Sequence, residues 1–219
     1  MKYEGVIFDL DGVICSTDRY HYLAWKALAD SMGVPFDESK NDRLRGVSRM
    51  ASLEIVLEAY RGPALSGADK EKLAAQKNEL YRGYLRAMSP ADLPAGVRET
   101  LETLRARGLR LAIGSSSKNT PLILEQIGLG GFFDAVSDGN NITRSKPDPQ
   151  VFVMAAEMLG LPAEKCLVVE DAEAGIRAAR AGCFDSAGIG PAARCGLASY
   201  AMEDFRDLLD IISERKVRK

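Results

Sequence analysis

Short β-branched and aromatic runs alternate with helical patterns along most of this chain, and that alternation limits the fold more than any other feature. The runs are Val6-Ile7-Phe8, Leu109 to Gly114, Asp134 to Ser137, Cys166 to Glu170 and, more weakly, Asp185 to Ile189. The first is apolar, β-branched and bounded, as buried strands are, and strand-like runs recur after it. Between them, Val97, Leu101 and Leu104 keep helical spacing and stop at Gly108. Leu122, Ile123 and Ile127 stop at Gly128; Val151, Phe152, Ala155 and Leu159 stop at Gly160; Ala174 to Ala181 stops at Gly182. All four glycines are expected in the left-handed conformation that closes a helix. Strands alternating with helices predict an α/β fold with a parallel sheet covered on both faces. Ligands of such sheets bind at the carboxyl ends of the strands.

One stretch breaks the alternation. From Thr17 to Met88 there is no strand pattern, only helical ones over Asp18 to Met32, Arg49 to Tyr60 and Ala68 to Met88. Ser16-Thr17-Asp18 offers an N-cap for the first of these. Ser89-Pro90 and Leu93-Pro94-Ala95-Gly96 read as the return linker. The expected organisation is a core of residues 1–15 and 90–219 with an all-α cap of residues 16–89 inserted after the first strand.

A chain of 219 residues suits one sizeable domain, or a core with a small inserted one. A net charge of −2 gives no long-range attraction for nucleic acid or an anionic membrane. The basic end, Arg215-Lys216-Val217-Arg218-Lys219, is short and reads as a frayed terminus. There is no apolar signal region, and no run approaches the ~18 residues that span a bilayer. Cys15, Cys166, Cys183 and Cys195 show no C-x-x-C spacing and read as free thiols in a reducing cytosol. A catalytic cysteine needs a base, and the single histidine, His21, is near Cys15 alone. The expected protein is cytoplasmic, and nothing in its sequence demands more than a monomer.

The strand ends carry the chemistry. Asp9-Leu10-Asp11-Gly12 follows Val6-Ile7-Phe8, and two carboxylates at the end of a buried strand are costly unless paired with metal or positive charge. Gly12 lets the backbone turn sharply there. Gly114-Ser115-Ser116-Ser117-Lys118-Asn119 follows Leu111-Ala112-Ile113, and small hydroxyl residues entering a helix offer donors to an anion. Lys146-Pro147 lies in a loop. Glu170-Asp171 follows Leu167-Val168-Val169, and acids at a strand end suit a hard cation held by oxygen. Taken singly, these have plainer explanations: an Asx turn, a helix cap, a surface lysine, and acids favoured at a helix start. Together and in this order they equip a chain for phosphoryl transfer. They supply a carboxylate that can attack phosphorus, a second carboxylate, a hydroxyl-lined cradle, a lysine and a Mg²⁺ site.

Phe8-Asp9-Leu10-Asp11-Gly12-Val13, the Ser115 loop, Lys146-Pro147-Asp148-Pro149 and Val169-Glu170-Asp171-Ala172-x-x-Gly175-Ile176 resemble the four motifs of the haloacid dehalogenase superfamily. The resemblance covers essentially the whole chain. It implies a Rossmann-like core with a helical cap after the first motif, and Mg²⁺ as cofactor. Asp9 would be the nucleophile and Asp11 the general acid/base. Ser115 and Lys146 would hold the transferring phosphoryl group, and Asp9, Asp11, Glu170 and Asp171 the metal.

Within that superfamily the cap segments are similar to those of the β-phosphoglucomutases. They are Thr17 through Leu28, Leu44-Arg45-Gly46-Val47-Ser48-Arg49, Gln76-Lys77-Asn78 and Ser89-Pro90-Ala91-Asp92. The resemblance implies that Gly46-Val47-Ser48-Arg49 is a substrate loop whose Arg49 grips the phosphate not being transferred. Thr17 and His21 would form the hinge that couples cap closure to Asp11. The implied substrate set is Thr17, His21, Trp25, Arg45, Gly46, Val47, Ser48, Arg49, Ser52, Lys77, Ser116, Ser117, Lys118 and Asn119. Arg45 stands where related mutases often carry lysine. A mutase passes through a bisphosphate, so it needs two phosphate sites, and arginine suits the second by bidentate donation. A lid that aligns the acid only over sugar phosphate would favour transfer over hydrolysis. The expected reaction interconverts β-D-glucose 1-phosphate and 6-phosphate through the 1,6-bisphosphate. A sugar-phosphate phosphatase of the same superfamily and a non-enzymatic binding module remain the alternatives.

Overall fold

The pairing register of three strands fixes where the site must lie. In the computed structural model, which describes residues 2–44 and 48–213, β1 (Gly5–Phe8) lies between β2 (Arg110–Gly114) and β4 (Cys166–Glu170). Both pairings are parallel, with Phe8 opposite Ile113 on one side and Val169 on the other. One residue further along, Asp9, Gly114 and Glu170 come level at the carboxyl edge. The Asp9 amide continues the ladder by donating to the Val169 carbonyl at 2.9 Å.

Among the described residues the sheet has six strands in the order β3-β2-β1-β4-β5-β6, all parallel. β3 is Ala135–Ser137, β5 Asp185–Ile189 and β6 Tyr200–Met202. The chain runs outward from β1 through β2 and β3, then returns to β4 and runs outward the other way. The reversal lies between β1 and β4, and such a switch point leaves a crevice at the carboxyl ends.

The chain divides into two compact units, residues 1–16 with 89–219, and residues 17–88. The first holds the sheet with α5 (Val97–Ala106), α6 (Thr120–Gln126), α7 (Gln150–Leu159), α8 (Glu173–Ala181) and α9 (Leu208–Ser213). Ile7, Ala112 and Val168 of the sheet pack on Val151, Phe152 and Ala155 of α7 and Ala178 of α8. Phe8 is fully buried and faces the rings of Phe133 and Phe205, with centroids 6.2 and 5.8 Å away. Burying a side chain of that size stabilises by about 1.5–3 kcal/mol.

The second unit holds α1 (Asp18–Ser31), α2 (Glu38–Asp42), α3 (Arg49–Leu57) and α4 (Gly67–Leu85). Trp25, Leu28, Ala29, Val34, Phe36, Leu53 and Val56 form its core. α4 opens on a capping box between Ser66 and Asp69. No helix among the described residues is long and apolar enough to cross a membrane.

The elements differ from the sequence reading at identifiable points. Gly108, Gly128 and Gly160 are left-handed, with φ of 83°, 73° and 65°. Gly182 is not: its φ is −86°, and Cys183, at φ 62°, takes the left-handed position instead. Gly182 is needed for closeness, since a Cβ there would lie 2.7 Å from the Phe184 ring. Thr17 precedes α1 but makes no side-chain cap; its hydroxyl accepts from Tyr81 instead. α2, α9 and β6 were not expected. α2 is five residues of Glu-Ser-Lys-Asn-Asp with none buried, so no apolar period marks it.

Candidate functional site

The cluster at the sheet's carboxyl edge is built on a buried lysine. Lys146 Nζ donates to Asp9 Oδ1 and, at 2.6 Å, to Glu170 Oε1. The ammonium also lies 4.7 Å from the centroid of the Phe152 ring. Asp9 and Glu170 are buried, so each charge has left water and must be met by a partner. The second oxygen of Glu170 accepts from the Ala172 amide at 2.8 Å. Burial alone would lower Lys146, but Asp9 and Glu170 hold its ammonium above the ordinary lysine range.

The acids around it are crowded. Burial pushes the Asp9 carboxyl up, Lys146 opposes this, and Glu170 and Asp171 add to it. Burial also raises Asp171, with Glu170 and Asp11 adding to it. Gly12 is required twice. Its φ is +90°, and a Cβ on it would meet the Asp171 carboxylate at 2.1 Å. Asp11, half-buried, bridges to Cys15 across this turn.

Excess negative charge of this kind fits a hard divalent cation. Among the described residues no three His, Cys, Asp or Glu side chains form a complete cage. Mg²⁺ does not need one, because it keeps waters and takes one or two carboxylates with substrate phosphate. Asp9 and Asp171 can supply those carboxylates. Glu170 is engaged by Lys146 and the Ala172 amide.

The loop after β2 is held by its own hydroxyls. Ser115, buried, donates its amide to Ser137 O at 3.0 Å, and its Oγ accepts from the Ser117 amide at 3.2 Å. Ser117 Oγ accepts from the Asn119 amide at 3.2 Å. Ser116 and Lys118 are exposed, and Asn119 is buried. A clamp that the sequence reading missed holds this loop from behind. Gly139 donates its amide to Ser117 O at 3.2 Å, and Asn140 Nδ2 donates to Lys118 O at 3.0 Å. A Cβ at Gly139 would lie 2.5 Å from the Ser116 carbonyl and 2.8 Å from the Lys118 amide. Asp138-Gly139-Asn140-Asn141 is a turn signal just after a strand, and that was the available clue.

A second cluster, within residues 17–88, is built where α1 meets α4. Lys77, only 2% exposed, interrupts the otherwise apolar or aromatic buried positions Ala74, Tyr81 and Leu85 of α4. Its Nζ lies 2.8 Å from His21 Nδ1 and 4.9 Å from the centroid of the Trp25 ring. Burial, with Arg49 adding repulsion, lowers Lys77 to about 7. Burial, Lys77 and Arg49 lower His21 to about 3, so its imidazole is neutral at physiological pH. Arg49, on α3, donates to Asn78 Oδ1 at 3.0 Å. Ser48 caps α3 by accepting from the Ala51 amide at 3.3 Å, and Ser52 is buried. Arg45, Gly46 and Val47 lie outside the described residues. The structure thus gathers Asp9, Lys146, Glu170 and Asp171 in one unit, and Thr17, His21, Trp25 and Lys77 in the other. Tyr81, which touches three of the latter four, was missed because an aromatic at helical spacing reads as core.

Comparison with known proteins adds to this geometry. The model of the haloacid dehalogenase-like hydrolases matches residues 3–182. A β-phosphoglucomutase of Bacillus subtilis is 39% identical over 189 residues, covering 85% of this chain and 83% of its own. A phosphorylated carbohydrates phosphatase of Thermotoga maritima is 31% identical over 179 residues, covering 81% and 80%. The crystal structure of a β-phosphoglucomutase from Clostridium difficile superposes with a TM-score of 0.85 at 32% identity, covering 96% of this chain and 95% of that one. With its parallel sheet, its strand-end acids and a family match over most of its length, the chain belongs to the haloacid dehalogenase-like hydrolases.

Proposed function

We propose that this protein is a β-phosphoglucomutase, working in the cytoplasm as a monomer with residues 16–89 as its cap. The observation that carries phosphoryl transfer is the buried bridge from Asp9 through Lys146 to Glu170. It sets a carboxylate at a strand end with a fixed ammonium hydrogen-bonded beside it. The 39% identity to the Bacillus mutase, together with the buried cation and neutral histidine of the cap, supports a mutase over a plain phosphatase.

In this reading an Asp9 oxygen attacks phosphorus, the bond from phosphorus to the donor oxygen breaks, and Asp11 gives that oxygen a proton. In the return step a second sugar hydroxyl attacks the phospho-aspartate and Asp11 takes its proton. Lys146 neutralises charge on the transferring group, and Ser115 donates to one of its oxygens. Glu170 orients Lys146. Asp9, the Asp11 carbonyl, Glu170 or its neighbour, and Asp171 would hold Mg²⁺, whose charge would offset that gathered on the phosphoryl oxygens. The second phosphate would rest on Arg49 and its neighbours Arg45 to Ser48, with Ser52, Lys77 and Ser116 to Asn119 completing the sugar-phosphate site. All four cysteines are free thiols, which supports a reducing compartment.

The test is ³¹P NMR of the purified protein with Mg²⁺, β-glucose 1-phosphate and a trace of the 1,6-bisphosphate. A mutase builds the glucose 6-phosphate signal without inorganic phosphate. Inorganic phosphate as the main product would make the chain a phosphatase, like its Thermotoga relative. Asp9→Asn is expected to lower turnover by on the order of 10⁴.

A further inference from the structure

We propose that Tyr81 is a positioning residue of the cap: its ring, stacked on His21 and facing Lys77, and its hydroxyl, bonded to Thr17, hold the His21 imidazole in one tautomer. The proposal rests on reading His21 and Lys77 as the groups through which the cap meets sugar phosphate.

Helical spacing places these residues together. Thr17, His21 and Trp25 recur every four residues along α1 and its N-terminal neighbour, and Lys77 and Tyr81 do so along α4, so each set lines one helix face. The His21 and Tyr81 rings stack with centroids 4.1 Å apart and planes 28° from parallel. Lys77 Nζ is 4.6 Å from the centroid of the Tyr81 ring. Tyr81 Oη donates to Thr17 Oγ1 at 3.0 Å, and Tyr81 is 2% exposed.

These contacts have one chemical result. Below about pH 7 Lys77 is an ammonium, which has only donors. At 2.8 Å from His21 Nδ1 it needs a lone pair there, which leaves the ring hydrogen on Nε2. The lone pair must point at the amine, so the plane of the imidazole matters. Stacking on Tyr81 fixes that plane, and the bond to Thr17 fixes the rotation of Tyr81. The cationic groups acting on His21 are Lys77 from α4 and Arg49 from α3, and both disfavour a second ring proton.

His21 is the only histidine, so ¹⁵N-histidine labelling gives one pair of ring nitrogens. At pH 6, without substrate, the wild type is expected to show one protonated and one unprotonated nitrogen, well separated. Tyr81→Met keeps the bulk without the ring, and its two signals should move toward a common average. Tyr81→Phe keeps the ring without its tether to Thr17 and should give a separation between those of Tyr81→Met and the wild type. A cooperatively melting Tyr81→Met protein with wild-type ring nitrogens would overturn the proposal. Tyr81→Phe gives a second test that does not depend on Tyr81→Met folding. The His21 amide donates to Thr17 O at 3.0 Å, and its hydrogen exchange should quicken severalfold when the Thr17 hydroxyl loses its donor. Unchanged exchange would equally overturn it. Neither readout uses substrate, so their failure leaves the phosphoryl-transfer reading standing, and failure of the ³¹P test leaves these measurements intact.

Discussion

Replacing Gly175 by alanine sets helix propensity against the buried carboxylate of Glu170. Gly175 lies inside α8, where alanine is the better helix former by about 1 kcal/mol. On propensity alone the variant would be more stable. A Cβ at this position, however, would sit 1.8 Å from Glu170 Oε1 and 2.0 Å from its Cδ. The carboxylate has little room to retreat: Lys146 holds one oxygen at 2.6 Å, the Ala172 amide holds the other at 2.8 Å, and the residue is 1% exposed. Displacing it breaks a buried charge pair, which costs about 3–5 kcal/mol. Less the propensity gain, Gly175→Ala should destabilise by about 2–4 kcal/mol, and the melting temperature should fall by about 10 °C. Calorimetry or urea unfolding followed by circular dichroism reads this directly. Gly83→Ala in α4 is the control, because a Cβ there meets nothing within 4 Å; it should stabilise by about 0.5–1 kcal/mol. If Gly175→Ala proves as stable as the wild type, the clash argument is refuted and Glu170 is free to move.

Three further outcomes follow from the site. Folding lowers Lys77 from 10.5 to about 7, so the unfolded chain binds more protons between those values and stability rises with pH across that window. Lys77→Met should therefore melt above the wild type at pH 6 and lose that advantage by about pH 10; a gap that does not vary with pH would contradict the buried-cation account. Gly139→Ala forces the Ser116–Lys118 backbone to shift, and kcat/KM for sugar phosphate should fall by about 10²-fold with the melting temperature little changed; unchanged kinetics would show that the loop does not depend on its clamp. Mg²⁺ at about 100 times its Kd should stabilise the protein by about 2.7 kcal/mol, and chelation should reverse it; Asp171→Asn should abolish most of this response, and a full response in that variant would remove Asp171 from the metal site.

Much of the core was legible because its signals are local. β1, β2 and β4 are largely apolar runs bounded by polar or glycine residues, β5 (Asp-Ser-Ala-Gly-Ile) gives a weaker signal, and three of the four helix-ending glycines are left-handed as their positions suggest. β6 was not legible: Tyr200-Ala201-Met202 is three residues long, and pairing with β5 rather than its own pattern makes it a strand. Gly182 misled because a glycine at a helix end can serve close packing instead of a positive φ. In the site, the sequence marked the residue types but not their partners. Nothing local tells Glu170, held by Lys146, from Asp171, crowded against Gly12. Thr17 read as a cap because serine and threonine usually are; a tyrosine brought in from α4 claims its hydroxyl.

The register of β1 has a consequence for how the chain is made. Gly5 pairs with Arg110 on one side and with Cys166 on the other. At about 5–20 residues per second, β1 leaves the ribosome roughly 10–30 seconds before β4 follows it. Residues 17–88, contiguous in sequence, can collapse on themselves during that interval. Asp9 meanwhile has neither Lys146 nor the Val169 carbonyl and stays a solvated carboxylate on an unpaired strand. The charged bridge can therefore close only once Glu170 has been made, and a ribosome stalled before β4 would carry residues 17–88 without it.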